Sequence, residues 1–396
     1  MNFERYHKTL LLNRLITEPR NFIQVIYGPR QVGKTTMVNQ VMKDLTFPCH
    51  YASADFVTTG HLSWISAQWE IARIRMAQEH SANGLLILDE IQKLENWSEQ
   101  VKKEWDIDTF NGSGLKVVLL GSSRLLLQKG LTESMAGRFE TIYMEHWSYT
   151  EMRQAFDADM NHFIWFGGYP GTRSFWEDEF RWKQYVRDSI VETSISRDVL
   201  MLTRVDKPSL LKQLFGLGCL YSGQVLSFNK ILGQLHDAGN TTTLSHYVDL
   251  LDTAGLLGGI EKYSVSVVKQ RASSPKFLVY NTSLLTAGSD LSLGEASSKP
   301  EIWGRWIESA IGAHLLNHRI KERYSLYYWR DGNDEVDFVL VYKGKMIGLE
   351  VKGSIGGLKK GADNFVRKFR PYKMLLIGKD GIPVEEFLQI NPVELF

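Results

Sequence analysis

The chain has 396 residues, of which 43% are hydrophobic and 23% are charged, and its formal net charge is +1. This composition excludes disordered and collagen-like chains and predicts a folded protein of about two or three domains. The near-neutral balance gives no global sign of a nucleic-acid or membrane surface, so any binding surface must come from local charge clusters. Cys49 and Cys219 form no zinc pattern or disulfide framework. Without a signal-peptide core or a bilayer-length apolar run, the sequence predicts a cytosolic protein.

The start of the chain predicts a lead-in helix followed by a strand. Apolar residues at helical spacing end near Pro19, and residues 21–27 are apolar and β-prone. Residues 28–35 then read Gly-Pro-Arg-Gln-Val-Gly-Lys-Thr, which fits G-x-x-x-x-G-K-[ST] at every fixed position. Helical spacing resumes at residues 36–42. This order of strand, loop and helix predicts a polyphosphate site; the alternative is a chance glycine-rich turn.

Each fixed residue of the loop has a chemical reason. Gly28 and Gly33 let the backbone turn its N–H groups inward, and the next helix directs its positive end to the same point. Lys34 is expected to reach the β- and γ-phosphates of ATP, and the Thr35 hydroxyl is expected to ligate Mg²⁺. The predicted nucleotide-binding residues of the loop are Gly28, Pro29, Arg30, Gln31, Val32, Gly33, Lys34, Thr35 and Thr36.

A buried parallel strand is predicted at residues 84–90, after a strand near residues 50–54 and a helix over 64–78. Its apolar run ends in Asp89 and Glu90, and the carboxyl ends of parallel strands are where α/β sheets place ligands. Asp89 is the expected outer-sphere partner of the Mg²⁺ ion, and Glu90 the residue that polarises the attacking water. The alternative is that both acids cap the helix that begins near Ile91.

Two further polar residues follow the next strand, which is predicted at 115–120. Ser122 comes directly after the end of this strand and could sense the γ-phosphate, a role that is compatible with capping the helix that follows. Arg138 is a candidate arginine finger, which would neutralise charge developing on the phosphoryl group. The alternative for Arg138 is an ordinary surface arginine.

These motifs resemble those of AAA-type P-loop ATPases of archaea and bacteria, in the group that carries a C-terminal restriction-endonuclease-like domain of uncharacterised function. The resemblance covers nearly the whole chain. It rests on the loop at 28–35, Leu-Asp-Glu-Ile-Gln at 88–92, Gly-Ser-Ser-Arg at 121–124 and Ala-Gly-Arg-Phe at 136–139. It implies a homo-oligomer such as the rings of the wider class, in which Arg138 serves the nucleotide of a neighbouring subunit. The lid lacks a convincing second sensor arginine, so the residues leave ring assembly open.

The alternation of strands and helices stops after residue 146. Aromatic-rich helices over 147–207 are expected to form a lid over the nucleotide, with residues 167–171 as a turn or hinge. Residues 208–285 then predict a winged helix, in which helices at 209–221 and 227–232 precede a capped amphipathic helix at 241–251. Two alternating stretches, 261–268 and 276–280, predict the strands of the wing.

The winged helix offers candidate contacts to DNA. Residues of the third helix could face a major groove, and basic residues of the wing could hold phosphates. The alternative is a protein-docking module or a structural part of the ATPase lid, because the third helix contains no arginine or lysine. The candidate groove residues are Thr241, Thr243, Ser245 and His246, and the candidate phosphate contacts are Lys269, Arg271 and Lys276.

A second catalytic constellation is predicted beyond a Gly/Ser/Ala-rich linker at 286–300. Asp337 lies in one predicted strand, and Glu350 and Lys352 lie two apart in the next, so that the acid and the lysine share a face. This Asp…Glu-x-Lys pattern matches restriction-endonuclease-like nucleases, and Glu308 resembles the first acid of that family. Glu308, Asp337 and Glu350 would bind Mg²⁺, and Lys352 would orient water. The alternative is an ion pair in a retired nuclease fold.

A basic cluster follows, suited either to a nucleic-acid backbone or to an ordinary solvated helix face; it comprises Lys359, Lys360, Arg367, Lys368, Arg370 and Lys373. The predicted fold is α/β: a P-loop NTPase parallel sheet (1–146) with a helical lid (147–207), a winged-helix domain (208–285) and a C-terminal α/β restriction-endonuclease-like domain (301–396). The predicted function is Mg²⁺-dependent ATP hydrolysis coupled to DNA binding or remodelling, with possible nuclease activity. The alternative is an ATP-controlled signalling or defence switch that binds a protein partner and carries an inactive nuclease-like domain.

Overall fold

The computed structural model describes residues 3–57, 63–121, 135–200, 205–235, 240–266, 270, 273–353 and 360–396. The chain divides into two compact units, Met1–Met144 and Glu145–Phe396. This division lies within two residues of the predicted end of the ATPase domain. Within the described ranges, no helix combines the length and the apolar character needed to cross a membrane.

The first unit is built on a parallel five-stranded sheet in the order β2-β3-β4-β1-β5. The strands are β1 (Ile23–Tyr27), β2 (Cys49–Ser53), β3 (Asn83–Asp89), β4 (Gly114–Gly121) and β5 (Phe139–Tyr143). Its described α-helices are Tyr6–Thr17, Lys34–Asp44, Ser63–Gln78 and Trp97–Phe110. The sheet confirms the predicted P-loop-type α/β architecture.

Both faces of this sheet are buried, which explains the uninterrupted apolar run of β3. Leu86 and Leu88 pack in a cluster with Trp69 and Trp105. Leu85 and Ile87, which point to the opposite face, pack in a second cluster with Val38 and other residues. Successive side chains of a strand alternate between faces, so a strand covered on both sides needs apolar residues at every position.

The second unit combines helices with two small sheets. The two-stranded antiparallel sheet pairs β6 (Leu257–Ile260) with β7 (Lys276–Val279). The four-stranded sheet has the order β11-β10-β9-β8, with strands β8 (Ser325–Asp331), β9 (Asp334–Tyr342), β10 (Lys345–Val351) and β11 (Lys373–Ile377). β8, β9 and β10 pair antiparallel, and β11 is parallel to β10. The predicted C-terminal sheet is therefore present.

The helices of the second unit carry most of its core. Glu179–Tyr185 continues through π-helical Val186–Val191, an α-helical turn at Glu192–Ser194 and π-helical Ile195–Leu200. The remaining described α-helices are Tyr149–Phe156, Met160–Phe166, Pro208–Leu220, Phe228–Leu232, Thr241–Thr253, Thr282–Ala287, Leu293–Ser297, Pro300–Glu322, Lys360–Phe369 and Val384–Phe387.

Three of these helices followed by the β6–β7 hairpin reproduce the predicted order of a winged helix. The predicted first wing strand at 261–268 is wrong, because the strand is β6, four residues earlier. Leu257 and Ile260 are buried against the hairpin partner, whereas Lys262 forms a bridge with Tyr328 of β8. The chain therefore leaves the hairpin where the alternation was expected to begin.

The stretch at 286–300, expected to be a linker, is instead a packed part of the second unit. Helix Thr282–Ala287 is buried along its whole length. Helix Leu293–Ser297 begins with a capping box formed by Ser292 and Glu295. Lys183 Nζ donates to the carbonyl oxygens of Ser289 and Leu291, at 2.7 and 2.5 Å. Small residues here allow close helix packing, which composition alone does not distinguish from flexibility.

Candidate functional site

The phosphate loop joins the carboxyl end of β1 to helix Lys34–Asp44, as predicted. Gly28 has φ +155°, and a Cβ atom added to it would lie 2.0 Å from the carbonyl oxygen of Met144. Gly33 has φ +91° and directly precedes the helix. Only glycine adopts these conformations without strain, and Gly28 also has no room for a side chain. The two glycines therefore set the path of the loop.

The lysine of the loop lies against the loop itself. Lys34 Nζ donates hydrogen bonds to the carbonyl oxygens of Gly28 and Pro29, at 2.8 and 2.7 Å. Val32 is fully buried, and its carbonyl oxygen accepts a 3.4 Å hydrogen bond from buried Arg5. The ammonium group is thus held at the mouth of the loop, where phosphate oxygens could replace the carbonyls as acceptors.

Thr35 and Asp89 meet, although 54 residues separate them in sequence. The Thr35 hydroxyl donates to Asp89 Oδ2 at 3.2 Å. The Tyr51 hydroxyl donates to the same oxygen at 2.6 Å. The other carboxylate oxygen of Asp89 accepts the N–H of Glu90 at 2.8 Å. The parallel pairing of β2 and β3 sets Ser53 beside Asp89, which brings Tyr51 of the same strand within reach.

Glu90 lies beside this pair in a left-handed backbone conformation, with φ 53°. Non-glycine residues seldom adopt this conformation outside functional sites and tight turns. Gln92 Nε2 donates to Glu90 Oε2 at 2.7 Å. Burial raises the pKa of the Glu90 carboxyl, nearby Arg30 partly lowers it, and the Asp89 carboxylate raises it again. A raised pKa brings a carboxylate closer to the basicity that a general base needs.

The oxygen set at this edge fits a magnesium ion. The Thr35 hydroxyl and the Asp89 carboxylate are hard oxygen donors on one side of the loop, and Mg²⁺ is bound by such groups together with substrate phosphates and water. Thr35 and Asp89 would hold the ion, which when bound would supply positive charge to offset charge that develops on the γ-phosphate. The fixed positions of the predicted site are therefore brought together by the fold.

Two residues at this site were missed by the sequence analysis. Tyr51 lies on β2, and its contact with Asp89 has no local signal, since it depends on which strand neighbours β3. Gln92 follows Glu90 by two residues, and a polar side chain just after a candidate catalytic acid was a signal that could have been used. Both orient a carboxylate and neither is expected to touch the reacting phosphate.

Arg138 lies at the amino-terminal ends of the parallel strands, whereas the phosphate loop lies at their carboxyl ends. Its carbonyl oxygen accepts the N–H of Ile23, the first residue of β1, whereas the loop follows the last. Five residues of strand amount to about 16 Å, which exceeds the reach of an arginine side chain. The guanidinium forms a two-point pair with Asp106, at 2.9 and 3.2 Å. Arg138 therefore cannot reach the phosphate loop of its own subunit.

Ser122 lies outside the described residues. The preceding strand β4 ends at Gly121, which pairs with Tyr27 at the end of β1. The role of Ser122 as a γ-phosphate sensor stays a prediction.

In the second unit, the predicted acidic residues gather around a lysine that was assigned a different role. Lys276 is fully buried, and its Nζ lies 2.6 Å from Glu308 Oε1, 3.9 Å from Asp337 Oδ1 and 4.0 Å from Glu335 Oε1. It also donates to the carbonyl oxygen of Asp337 at 3.1 Å. The expectation that Lys276 holds a DNA phosphate is therefore wrong, since β7 directs its side chain into the protein.

This cluster has three carboxyl groups and one ammonium group, and this imbalance shifts the pKa values of its members. Burial alone lowers the pKa of Lys276, but the carboxylates of Glu308 and Asp337 outweigh burial and raise it above its ordinary value. Burial also raises the pKa of Glu308, Lys276 partly lowers it, and Asp337 raises it again. Three carboxylates share one ammonium, so the lysine is fully compensated and the acids are not.

The arrangement does not fit the predicted metal site. Asp337 is buried, and its Oδ2 accepts the N–H of Val351 at 2.7 Å. Glu350 is fully buried on the neighbouring strand, and Lys352 directly follows that strand. Among the residues that the structure describes, no group of three or more His, Cys, Asp or Glu side chains is placed to hold a metal ion. The predicted Mg²⁺ set of Glu308, Asp337 and Glu350 is not assembled here.

The predicted nucleic-acid surfaces are partly exposed. Thr241 and His246 of helix Thr241–Thr253 are exposed and Ser245 is half-buried, while Thr243 contacts the capping Asn240. In the basic cluster, Arg367 and Arg370 are exposed. Lys368 pairs with Asp331 at 2.6 Å and Lys373 donates to the Leu395 carbonyl at 2.7 Å. Lys269, Arg271, Lys359 and the side chain of Lys360 lie outside the described part of the chain.

Comparison with known proteins agrees with the class that the fold and the loop define. Residues 20–153 match the family model of an AAA domain. Residues 157–294 match a domain of unknown function, DUF8612, and residues 303–393 match another, DUF4143. The first unit thus matches an AAA domain in sequence and has a P-loop-type parallel sheet. The match of the last domain does not bear on its predicted likeness to restriction endonucleases.

Individual relatives are distant. The chain is 23% identical over 370 residues to the uncharacterized protein MJ1544 of Methanocaldococcus jannaschii, covering 87% of this chain and 78% of that protein. Among solved structures, the Aeropyrum pernix ORC1 protein in complex with DNA matches with a TM-score of 0.32 and 12% identity, over 72% of this chain and 91% of that one. RuvB of Thermotoga maritima matches with a TM-score of 0.35 and 17% identity, over 64% and 87%.

Proposed function

We propose that this protein hydrolyses ATP with Mg²⁺ at the phosphate loop and uses the nucleotide state to control its second unit. One observation carries the proposal: the Thr35 hydroxyl and the Asp89 carboxylate lie 3.2 Å apart at the edge of the sheet where the loop ends. Glu90 follows Asp89 and lies near Arg30 and Lys34, both of which act on its pKa. These contacts support candidate residues for phosphate binding, metal ligation and water activation.

In this mechanism each residue has one task. The backbone of the loop and Lys34 hold the β- and γ-phosphates, and Thr35 with Asp89 would hold a Mg²⁺ ion that supplies positive charge beside them. Glu90 accepts a hydrogen bond from the attacking water and aligns it with the γ-phosphorus. Tyr51 and Gln92 orient Asp89 and Glu90. Arg138, held by Asp106 at the far edge, would serve the nucleotide of a neighbouring copy.

The test is ATP turnover by a Lys34→Ala variant. Removing the ammonium is expected to reduce turnover to background and to weaken ATP binding, because the phosphates lose their cationic partner. Lys43→Ala is a matched control, since Lys43 is exposed in the last turn of the same helix. Unchanged turnover in Lys34→Ala would refute the proposal, as would an equal loss in Lys43→Ala.

DNA is the partner that we propose for the second unit. The exposed Thr241 and His246 lie on the third helix of a winged-helix arrangement, and Arg367 and Arg370 are exposed on a separate helix. Groove contacts from the former and phosphate contacts from the latter would be the expected division of labour. A protein partner controlled by ATP is the second candidate, favoured by the lack of arginine and lysine in helix Thr241–Thr253.

A further inference from the structure

Lys276 occupies the position where the acidic residues of the C-terminal domain converge. It is the first residue of β7, and its backbone pairs with Ile260 and bridges to Val225. Its side chain is completely buried. The ammonium reaches Glu308 on helix Pro300–Glu322 and Asp337 on β9, at 2.6 and 3.9 Å. One lysine of the winged-helix hairpin thus connects a helix and a strand that come later in the chain.

The contacts of the Lys276 ammonium already engage oxygen atoms that a metal ion would need as ligands. Asp337 engages Lys276 through its carbonyl oxygen and lies near it with Oδ1, while Oδ2 accepts the Val351 N–H. Phe338 lies against the lysine, with its ring centre 4.8 Å from Nζ. A divalent ion placed among these carboxylates would meet a buried positive charge within a few ångströms, where repulsion is poorly screened.

A buried lysine is costly unless carboxylates compensate it, and carboxylates gathered in a protein interior need a cation. Lys276 and the three acids, Glu308, Glu335 and Asp337, meet both needs at once. In a metal-dependent nuclease of the predicted kind, Mg²⁺ would supply the positive charge among the acids. In this chain the protein supplies it from its own hairpin.

We propose that Lys276 is the resident cation of this acidic cluster, that it fastens the β6–β7 hairpin to the C-terminal sheet, and that it keeps the cluster from binding a divalent ion. As they stand, these acids are not placed to hold a metal ion. Removal of the ammonium leaves them without a cation, and we expect their side chains to rearrange around a divalent ion that relieves their mutual repulsion. The inference concerns the second unit alone and does not depend on ATP hydrolysis at the phosphate loop.

The experiment is a Mn²⁺ titration of the full-length chain without nucleotide, in a Thr35→Ala background that removes the expected ligand at the loop. Bound Mn²⁺ is counted by electron paramagnetic resonance and the melting temperature is followed in parallel. The background protein is expected to bind no Mn²⁺ and to keep its melting temperature. Adding Lys276→Met, which keeps the side-chain length but loses the charge, is expected to lower the melting temperature and to create one Mn²⁺ site.

In the Lys276→Met protein, Mn²⁺ at about a hundredfold above its Kd is expected to raise the melting temperature by roughly 5 °C. Adding Glu308→Gln should abolish that rise, because it removes the acid nearest to the lost ammonium. Lys379→Met is the matched control: Lys379 is exposed in the same domain, and its loss should change neither readout.

Two results would overturn the proposal. One is Mn²⁺ binding to the background protein that Glu308→Gln abolishes, because the acids would then take a divalent ion with Lys276 in place. The other is a folded Lys276→Met protein that binds no Mn²⁺. If that variant does not fold, the titration of the background protein decides. The absence of Glu308-dependent Mn²⁺ binding then supports the proposal, and its presence overturns the proposal.

Discussion

At the residue scale, the candidate site of the first unit consists of a few side chains that share partners. Asp89 accepts hydrogen bonds from Thr35, Tyr51 and the Glu90 backbone. A carboxylate held on both oxygens keeps one orientation, which is what a metal-associated acid requires. Glu90 accepts a hydrogen bond from Gln92, has a left-handed backbone conformation, and its pKa is raised by burial. The two adjacent acids thus have different environments, consistent with different chemical roles.

A Glu90→Gln variant tests this separation of roles. Glutamine keeps the shape and a contact to Gln92 but cannot act as a base, so hydrolysis is expected to fall by about 10²–10⁴-fold. ATP affinity should stay within a few-fold, because Lys34 and the loop are unchanged. Turnover is measured by phosphate release and affinity by titration with a fluorescent ATP analogue.

Glu95→Gln is the control for this prediction, since Glu95 is exposed a few residues further along the same connection. It should hydrolyse ATP at the normal rate. A Glu90→Gln variant that retains near-normal hydrolysis would show that another group activates the water.

At the element scale, the position of each polar residue follows from strand order. β1 and β3 flank β4, so the phosphate loop and Asp89 come from strands separated by a single strand. In the second unit, β7 begins with the lysine that the hairpin turns inward. All four residues of β7 are buried, so a lysine in this strand is buried whichever side of the strand it occupies.

The exposed arginines of helix Lys360–Phe369 and of its C-terminal end carry a prediction for DNA binding. If Arg367 and Arg370 contact phosphates, duplex affinity should fall steeply as salt is raised, with a slope that decreases by about 1 for each arginine replaced by alanine. Fluorescence anisotropy over a series of salt concentrations measures this slope. Forked and single-stranded DNA are compared in the same way.

A Lys379→Ala variant provides the control for this series, because Lys379 is an exposed cation outside that helix. Equal slopes for all variants and the parent would exclude the helix as a phosphate-binding surface. Affinity that does not depend on salt would favour the alternative of a protein partner.

At the scale of the whole molecule, the position of Arg138 links its proposed catalytic role to the association of several copies of the chain. The length of a five-residue strand, about 16 Å, separates Arg138 from the phosphate loop of the same chain. A catalytic role for this arginine therefore requires a second copy of the chain, arranged so that one subunit's edge faces its neighbour's nucleotide. The pair with Asp106 would have to open, which costs little because half-exposed ion pairs contribute about 0–1 kcal/mol.

Mixing inactive variants tests this arrangement. Arg138→Ala is expected to reduce turnover by about 10³–10⁵-fold, as for loss of an arginine finger. Mixed in equal amounts with Lys34→Ala, it should recover turnover at roughly a quarter of the sites, since each site draws one residue from each of two subunits at random. Turnover is measured after the mixture has been dissociated and reassembled.

The matched control mixes Lys34→Ala with Glu90→Gln. Both residues belong to the same subunit's site, so no combination of subunits restores a complete one. Recovery in this control, or none in the Arg138→Ala mixture, would contradict a role for Arg138 between subunits.

Sequence by itself predicted the strand-loop-helix unit around residues 28–35 and the buried strand that ends at Asp89, because both depend on short spacing and on one apolar run. It also predicted the three helices ahead of the β6–β7 hairpin and the strands of the C-terminal sheet, since capping and apolar runs are local signals, but alternation placed the first hairpin strand at 261–268 instead of Leu257–Ile260. The helices at 286–300 were taken for a linker because small residues that pack closely and small residues that are mobile have the same composition.

Only the tertiary structure decided which charges meet. Lys276 precedes Glu308 by 32 residues and Asp337 by 61 in sequence, and no local pattern states that a lysine at the start of a strand faces inward. Tyr51 reaches Asp89 because β2 neighbours β3, and Arg138 is kept from its own phosphate loop because β5 runs parallel to β1. Burial and strand order are properties of the packed chain, and they determine whether a charged residue binds a ligand or another residue of the protein.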